Sequence, residues 1–170
     1  MNYYVVETDK HKLIQKTAGV KARQDVETIF KWNNFKKIEI PCLIEGRENK
    51  TRLGKIKAHY DVYMLWKNAL KKIKKNDWIY IQFPLLEHTM LFSLLIKNLE
   101  KRGIHTSIII HDVEAIRFTL RNDVPLSRKI RMRFEEISSF KNCSKIIVHN
   151  EKMKSFMHEK WKIHKDTYFA

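Results

Sequence analysis

The densest group of chemically active side chains lies within residues 107–117, in the run SIIIHDVEAIR. A β-type run there is followed directly by His111, Asp112 and Glu114, with Arg117 close behind. An imidazole and two carboxylates can hold or deprotonate a hydroxyl, and a guanidinium can hold a phosphate. We therefore predict Asp112, Glu114 and His111 as catalytic residues, with Arg117 as a ligand for an acceptor or a phosphate. The alternative is local, with Asp112 capping a short helix and Glu114 pairing with Arg117.

A second group of candidates, suited to binding an anion, lies where the first predicted helix begins. Gly19 lets the backbone approach a ligand, and Lys21 and Arg23 add positive charge to a helix N-terminus. The competing interpretation is an ordinary flexible loop and a basic first turn. Gln82 and Asn150, two polar residues at predicted strand ends, complete the predicted acceptor- or phosphate-binding set.

The motifs of several other chemistries are missing from the sequence. It contains no His-Glu-x-x-His, no Cys-x-x-Cys and no Gly-x-x-x-x-Gly-Lys, so we predict neither a metal site nor a phosphate loop. The first predicted strand is not followed by Gly-x-Gly-x-x-Gly, which argues against a nicotinamide enzyme.

Short β-type runs alternate with amphipathic helical stretches along the chain. Strands are predicted at 2–7, 36–41, 77–83, 104–111 and 145–149. Helices are predicted at 20–33, 56–73, 86–102, from 125 onward and at 151–160. This alternation predicts an α/β fold with a Rossmann-like, doubly wound, mostly parallel sheet and helices on both faces. We predict one domain over residues 1–160 and a tail without clear pattern over 161–170. Because ligands in such sheets bind beyond the carboxyl ends of the strands, one rim should carry the candidates.

The chain is strongly basic, with 34 Lys and Arg against 19 Asp and Glu and a formal net charge of +15. Such a charge attracts polyanions, including nucleic acid, phosphorylated molecules and an anionic membrane surface. The sequence has no zinc-finger spacing, basic zipper or RNA-recognition signature, so nucleic acid is the less favoured partner. No stretch reaches the roughly 18 apolar residues of a membrane span, and we predict no signal peptide, because the N-terminus has neither a basic flank nor an apolar core of signal length. We expect a cytoplasmic protein, located at the inner face of the membrane if lipid is the partner.

Four segments occur in a characteristic order: 18–25 (AGVKARQD), 81–84 (IQFP), 111–117 (HDVEAIR) and 147–153 (IVHNEKM). Together they resemble the N-terminal domain of bacterial two-domain glycosyltransferases of the glucosyltransferase 3 type. The galactofuranosyltransferases of cell-surface polysaccharide synthesis are similar. The likeness runs from about residue 1 to residue 160.

The resemblance implies a GT-B architecture, in which two Rossmann-like domains face a cleft and this one holds the acceptor. It implies transfer of a hexose from a UDP-sugar to a saccharide or lipid-linked saccharide, in surface polysaccharide or glycoprotein glycan synthesis. No cofactor or bound metal is implied, since helix dipoles and basic groups offset the charge of the leaving diphosphate. An inverting transfer needs a base, for which Asp112 is the first candidate and Glu114 and His111 are alternatives.

The same resemblance places the nucleotide sugar mainly in a donor-binding C-terminal domain, supplied in cis or in trans. We therefore expect the 170-residue chain to be inactive without that second half. Two non-enzymatic alternatives stay open. One is a basic nucleic-acid-binding module, which the charge of +15 suggests. The other is a scaffold domain that uses an exposed apolar surface to hold a partner, for which a homo-oligomer would be the first sign.

Overall fold

The computed structural model describes residues 1–8, 18–43, 51–113, 117, 122–163 and 167–169. Its strands are β1 (Asn2–Thr8), β2 (Lys36–Pro41), β3 (Trp78–Phe83), β4 (His105–Ile110), β5 (Lys145–Val148) and β6 (Thr167–Phe169). Within those described ranges the helices are α1 (Ala18–Trp32), α2 (Arg52–Ala69), α3 (Phe92–Lys101), α4 (Leu126–Asn142) and α5 (Glu151–Trp161).

The strands form one sheet in the order β2-β1-β3-β4-β5-β6, and every neighbouring pair is parallel. At its centre Ile81 of β3 lies opposite Ile108 of β4. β1 is flanked by β2 on one side and by β3 on the other, so the order of connection reverses between β1 and β3. In an open α/β sheet this reversal opens a crevice at the carboxyl ends of the two strands.

Helices pack on both faces of the sheet, as the sequence predicts. Alternate side chains of a strand point to opposite faces. Val5 and Ile108 therefore join the larger core, which includes buried side chains of α2, α3, α4 and α5. Tyr4 and Ile109 join the smaller core on the other face, where α1 contributes Phe30. The rings of Tyr4 and Phe30 stack with their centroids 5.2 Å apart.

The helix predicted to begin at residue 86 begins instead at Phe92. After Pro84 the backbone N–H groups of Leu86 and Glu87 donate to the carboxylate of Glu7 rather than entering a helix. The segment between β3 and α3 is therefore pinned across the end of β1. This pinning brings backbone atoms to the rim of the sheet, where a helix would have carried them away.

The prediction that residues 161–170 form a tail outside the folded domain is also wrong. Trp161 and Ile163 are buried in the larger core. Residues 167–169 form β6, in which Thr167 lies opposite Ile146 and Tyr168 opposite Ile147. A strand of three residues is too short to show an alternating apolar pattern, so the sequence gives no signal for it.

Candidate functional site

A cleft with a volume of about 360 Å³ lies at the carboxyl ends of β1 and β3, where the strand order reverses. It is bounded by the ends of β1 and β3, the first half of α1, the last turn of α2 and the segment that follows β3. Its apolar lining includes Val20, Trp66 and Leu86, and its polar lining includes Glu7, Arg23 and Gln82. A mostly apolar wall with a small number of polar groups is typical of a small-molecule site.

Arg23 and Gln82, both predicted as ligands, are brought together in this cleft. Arg23 lies in the second turn of α1, and its guanidinium donates to the carbonyl of Pro84. Gln82 is 5% exposed at the end of β3, and its amide nitrogen donates to the carbonyl of Arg23 at 3.4 Å. These contacts join α1 to the end of β3. They hold the positive charge of Arg23 at the cleft wall.

His111 lies behind Gln82 and fixes its orientation. The Nε2 of His111 is 2.7 Å from the side-chain oxygen of Gln82. Because the amide nitrogen of Gln82 is used on Arg23, that oxygen accepts and His111 Nε2 carries the proton. Burial, the nearby charge of Arg23 and His149 lower the pKa of His111 to about 4. At neutral pH His111 is therefore an uncharged donor.

Glu7, the last but one residue of β1, lines the cleft and is a candidate that the sequence analysis missed. Its two carboxylate oxygens accept from the backbone N–H groups of Leu86, at 2.8 Å, and Glu87, at 3.1 Å. Burial raises the pKa of Glu7 to about 7, although the two N–H groups and Arg23 act in the opposite direction. A carboxyl group with this pKa exchanges a proton near neutral pH, which suits general acid–base work.

A signal for Glu7 was present in the sequence. Thr8 ends β1, so the strand-end rule already pointed to its neighbours. Glu7 follows Val5 by two residues and therefore points to the same face as that buried valine. A carboxylate on the core side of a strand end requires partners, and the partners come from a segment predicted to be helical.

Asp112 and Arg117 form a separate, local arrangement beyond β4. One carboxylate oxygen of Asp112 accepts from the N–H of Val113 at 2.8 Å, and the other pairs with Arg117. Arg117 itself is exposed. Neither residue belongs to the lining that the described residues give the cleft. The predicted candidate Glu114 lies outside the described residues.

Three further candidates occupy helix starts. Asn150 is the N-cap of α5, where its side chain accepts from the N–H of Met153 at 2.9 Å. This satisfies one of the free N–H groups of the helix. Gly19 lies in the first turn of α1, and Lys21 is exposed on the same turn. Lys21 thus lies on the helix that carries Arg23, but among the described residues it is not part of the hydrogen bonds that join Arg23, Gln82 and His111.

Two wider properties of the described residues bear on the class of protein. They include no group of three or more His, Cys, Asp or Glu side chains placed to hold a metal ion. None of the helices within the described ranges is long and apolar enough to cross a bilayer.

The chain is a Rossmann-like α/β domain, and a polar cleft at the strand-order reversal is where ligands bind in such folds. Comparison with protein families matches residues 2–165 to the glucosyltransferase 3-like N-terminal domain. The match covers nearly the whole chain, so the chain belongs to this family and is a glycosyltransferase domain. The likeness seen in the four sequence segments is thereby confirmed. Comparison with curated proteins finds no match.

Proposed function

We propose that this domain binds the acceptor of a hexosyltransferase, and that the acceptor lies in the cleft between the ends of β1 and β3. The observation that carries the proposal is the convergence of Glu7, Arg23 and Gln82 on a cleft of about 360 Å³. This volume lies within the range of about 300–1,000 Å³ that small-molecule sites occupy. Family membership supports glycosyl transfer as the reaction class, and the cleft supports this location for the acceptor.

The cleft offers two kinds of contact to a saccharide and is organised in advance. The guanidinium of Arg23 donates to hydroxyl or phosphate oxygens, and it remains charged even though burial lowers its pKa. Val20 and Leu86, both partly exposed, supply apolar surface for the C–H face of a sugar ring. The neutral His111 keeps the side chain of Gln82 in one orientation, so the site is organised before a ligand arrives.

A transfer with inversion needs a group that takes the proton of the acceptor hydroxyl. Asp112, proposed from the sequence with Glu114 and His111 as alternatives, is held by Val113 and Arg117. Glu7 lines the cleft and has a pKa near 7. We therefore favour Glu7 as the base and keep Asp112 as the competing proposal.

The donor is proposed to be a UDP-sugar that a C-terminal domain holds, in cis or in trans, across the cleft from this one. In that arrangement Arg23 faces the bond that breaks and offsets charge on the diphosphate. No cofactor is proposed. A saccharide or lipid-linked saccharide is the proposed acceptor, for surface polysaccharide or glycoprotein glycan synthesis.

Calorimetric titration of hexoses and hexose phosphates into the chain tests the acceptor site without requiring turnover. We expect saturable binding that Arg23→Ala weakens by at least about tenfold, because a charged hydrogen bond is lost. Lys31→Ala is the matched control, since Lys31 is an exposed cation in the last turn of the same helix. Equal loss in both variants would reduce the effect to general charge and would contradict a site in the cleft.

A further inference from the structure

Helix α4 leaves a line of large apolar side chains in solvent. Leu126, Ile130 and Phe134 are 71%, 61% and 71% exposed. They are four residues apart, so they lie one above another along the helix. We name these three residues the α4 stripe. The opposite side of the helix packs in the protein through Met132 and Phe140, so the stripe is not needed for folding.

Cations border the α4 stripe on both sides. With 3.6 residues per turn, Lys129 and Arg133 lie along one edge of the stripe and Arg131 along the other. The two acidic residues of α4 are turned inward. Glu136 is 2% exposed, and Glu135 pairs with His88 at 2.8 Å and with Arg131 at 3.6 Å. The outward side of α4 therefore combines apolar and positively charged groups only.

We propose that the α4 stripe docks the protein on an anionic lipid surface. In this pose the three apolar side chains enter the boundary between headgroups and acyl chains, and the cations beside them meet the lipid phosphates. Charge selects this occupant over a second copy of the chain. Pairing two α4 stripes would bring the cations of both copies together, with no acidic residue on either outward side to balance them.

The chain order gives this docking a consequence for the cleft. α4 follows β4, so the helix begins near the rim of the sheet and Leu126 is its rim-side end. A surface held by the stripe therefore lies near the rim that carries the cleft. This location suits an acceptor that is itself attached to a lipid. The docking itself does not depend on the proposed acceptor site.

Vesicle sedimentation of the full chain tests the docking. Vesicles of phosphatidylcholine with phosphatidylglycerol should bind the protein, and vesicles of phosphatidylcholine alone should bind it far less. The triple change L126S, I130S and F134S should weaken binding by at least about a hundredfold, because three apolar side chains no longer enter the lipid. The double change K129Q and R133Q should weaken it about thirtyfold, since each cation contributes about a factor of five.

Two matched controls distinguish the effect of the α4 stripe from effects of net positive charge and of exposed apolar surface elsewhere on the chain. K71Q and K72Q remove the same charge from another exposed cluster, and L53S and I56S remove exposed apolar side chains from α2. Both controls should bind the anionic vesicles as the unchanged chain does. Far-ultraviolet circular dichroism checks that every variant is folded.

Three results would overturn the proposal. The first is unchanged vesicle binding by the triple variant, and the second is equal binding to vesicles with and without phosphatidylglycerol. The third is self-association of the unchanged chain that the triple variant abolishes, with no vesicle binding in either, which would assign the stripe to a second copy.

Discussion

The rim of the sheet has two halves with opposite character. At the ends of β1 and β3, Glu7, Arg23 and Gln82 contact residues distant in the sequence and surround a cleft. At the ends of β4 and β5, Asp112 and Asn150 contact residues within five positions of themselves. Polar side chains that hold distant segments together create a cavity between those segments. Polar side chains that bind residues close to them in the sequence stabilise a local turn or helix end and leave no cavity.

The comparison shows why density of chemical groups is a poor guide to a site. Residues 111–117 contain the densest run of such groups in the sequence, yet in the described part of that run only His111 reaches a cleft residue, and Asp112 and Arg117 form a local hydrogen bond and an ion pair. The three cleft residues are separated by 15 or more positions in the sequence and become neighbours only through the sheet. The half of the rim with the strand-order reversal, rather than the half with more charges, contains the cleft.

The sharpest test exchanges one carboxylate on each half of the rim for its amide. In the enzyme assembled with the proposed donor-binding domain, Glu7→Gln should lower transfer by at least about a hundredfold, because the acceptor hydroxyl loses its proposed base. Asp112→Asn should lower it by less than about tenfold, through loosening of its contacts alone. Initial rates with saturating UDP-sugar measure both. The reverse ranking would return the role of base to Asp112 and move the reacting hydroxyl to the other half.

The next largest effect concerns stability and pH. The pKa of Glu7 is about 7 in the folded chain and 4.5 ordinarily, so the folded chain keeps this proton longer than the unfolded chain. Glu7 therefore lowers the free energy of unfolding as pH rises from 4.5 to 7. His111 has a folded pKa of about 4 against 6.5, so it lowers stability as pH falls from 6.5 to 4. Between pH 4.5 and 6.5 the two slopes oppose each other.

Removing either group should reveal how the other one alone makes the free energy of unfolding depend on pH. In Glu7→Gln, stability should rise with pH between 4.5 and 6.5, and in His111→Asn it should fall, each by up to about 3 kcal/mol. Urea unfolding at a series of pH values gives both curves, and their difference cancels the groups that the variants share. Parallel curves would show that neither group titrates far from its ordinary pKa.

A smaller effect should follow from breaking the link between the two halves. Gln82 bridges Arg23 and His111, so Gln82→Leu leaves the buried Nε2–H of His111 without its acceptor. We expect a loss of about 2 kcal/mol in the free energy of unfolding. Thr28→Val, which removes a hydrogen bond on the exposed side of α1, is the control and should change stability by less than about 0.5 kcal/mol. A loss no larger than the control would mean that the bridge contributes nothing to folding.

The fold was predictable because its signals are local and repeated. The alternation of apolar strands with amphipathic helices specifies a parallel sheet, and Ile108, Ile109 and Ile110 are buried as a central strand requires. That Arg23 and Gln82 lie at the cleft was predictable from a helix start and a strand end. The position of Glu7 at a strand end was also visible in the sequence, but its partners at Leu86 and Glu87 were not predictable, because they belong to a segment whose apolar spacing predicts a helix. A long-range hydrogen bond overrides that spacing, and no local pattern records it.

The smallest expected effect belongs to Asn150, which tests whether the second half of the rim is structural. Asn150→Ala removes the cap of α5 and should reduce stability by about 1 kcal/mol, whereas Asn150→Asp keeps an oxygen for the N–H of Met153 and should restore it. Saccharide titration accompanies the unfolding curves, because Asn150 was also predicted to bind the acceptor. Unchanged stability with weaker saccharide binding in both variants would make Asn150 a ligand and extend the site across the whole rim. A capping loss with unchanged binding would confine the site to the ends of β1 and β3.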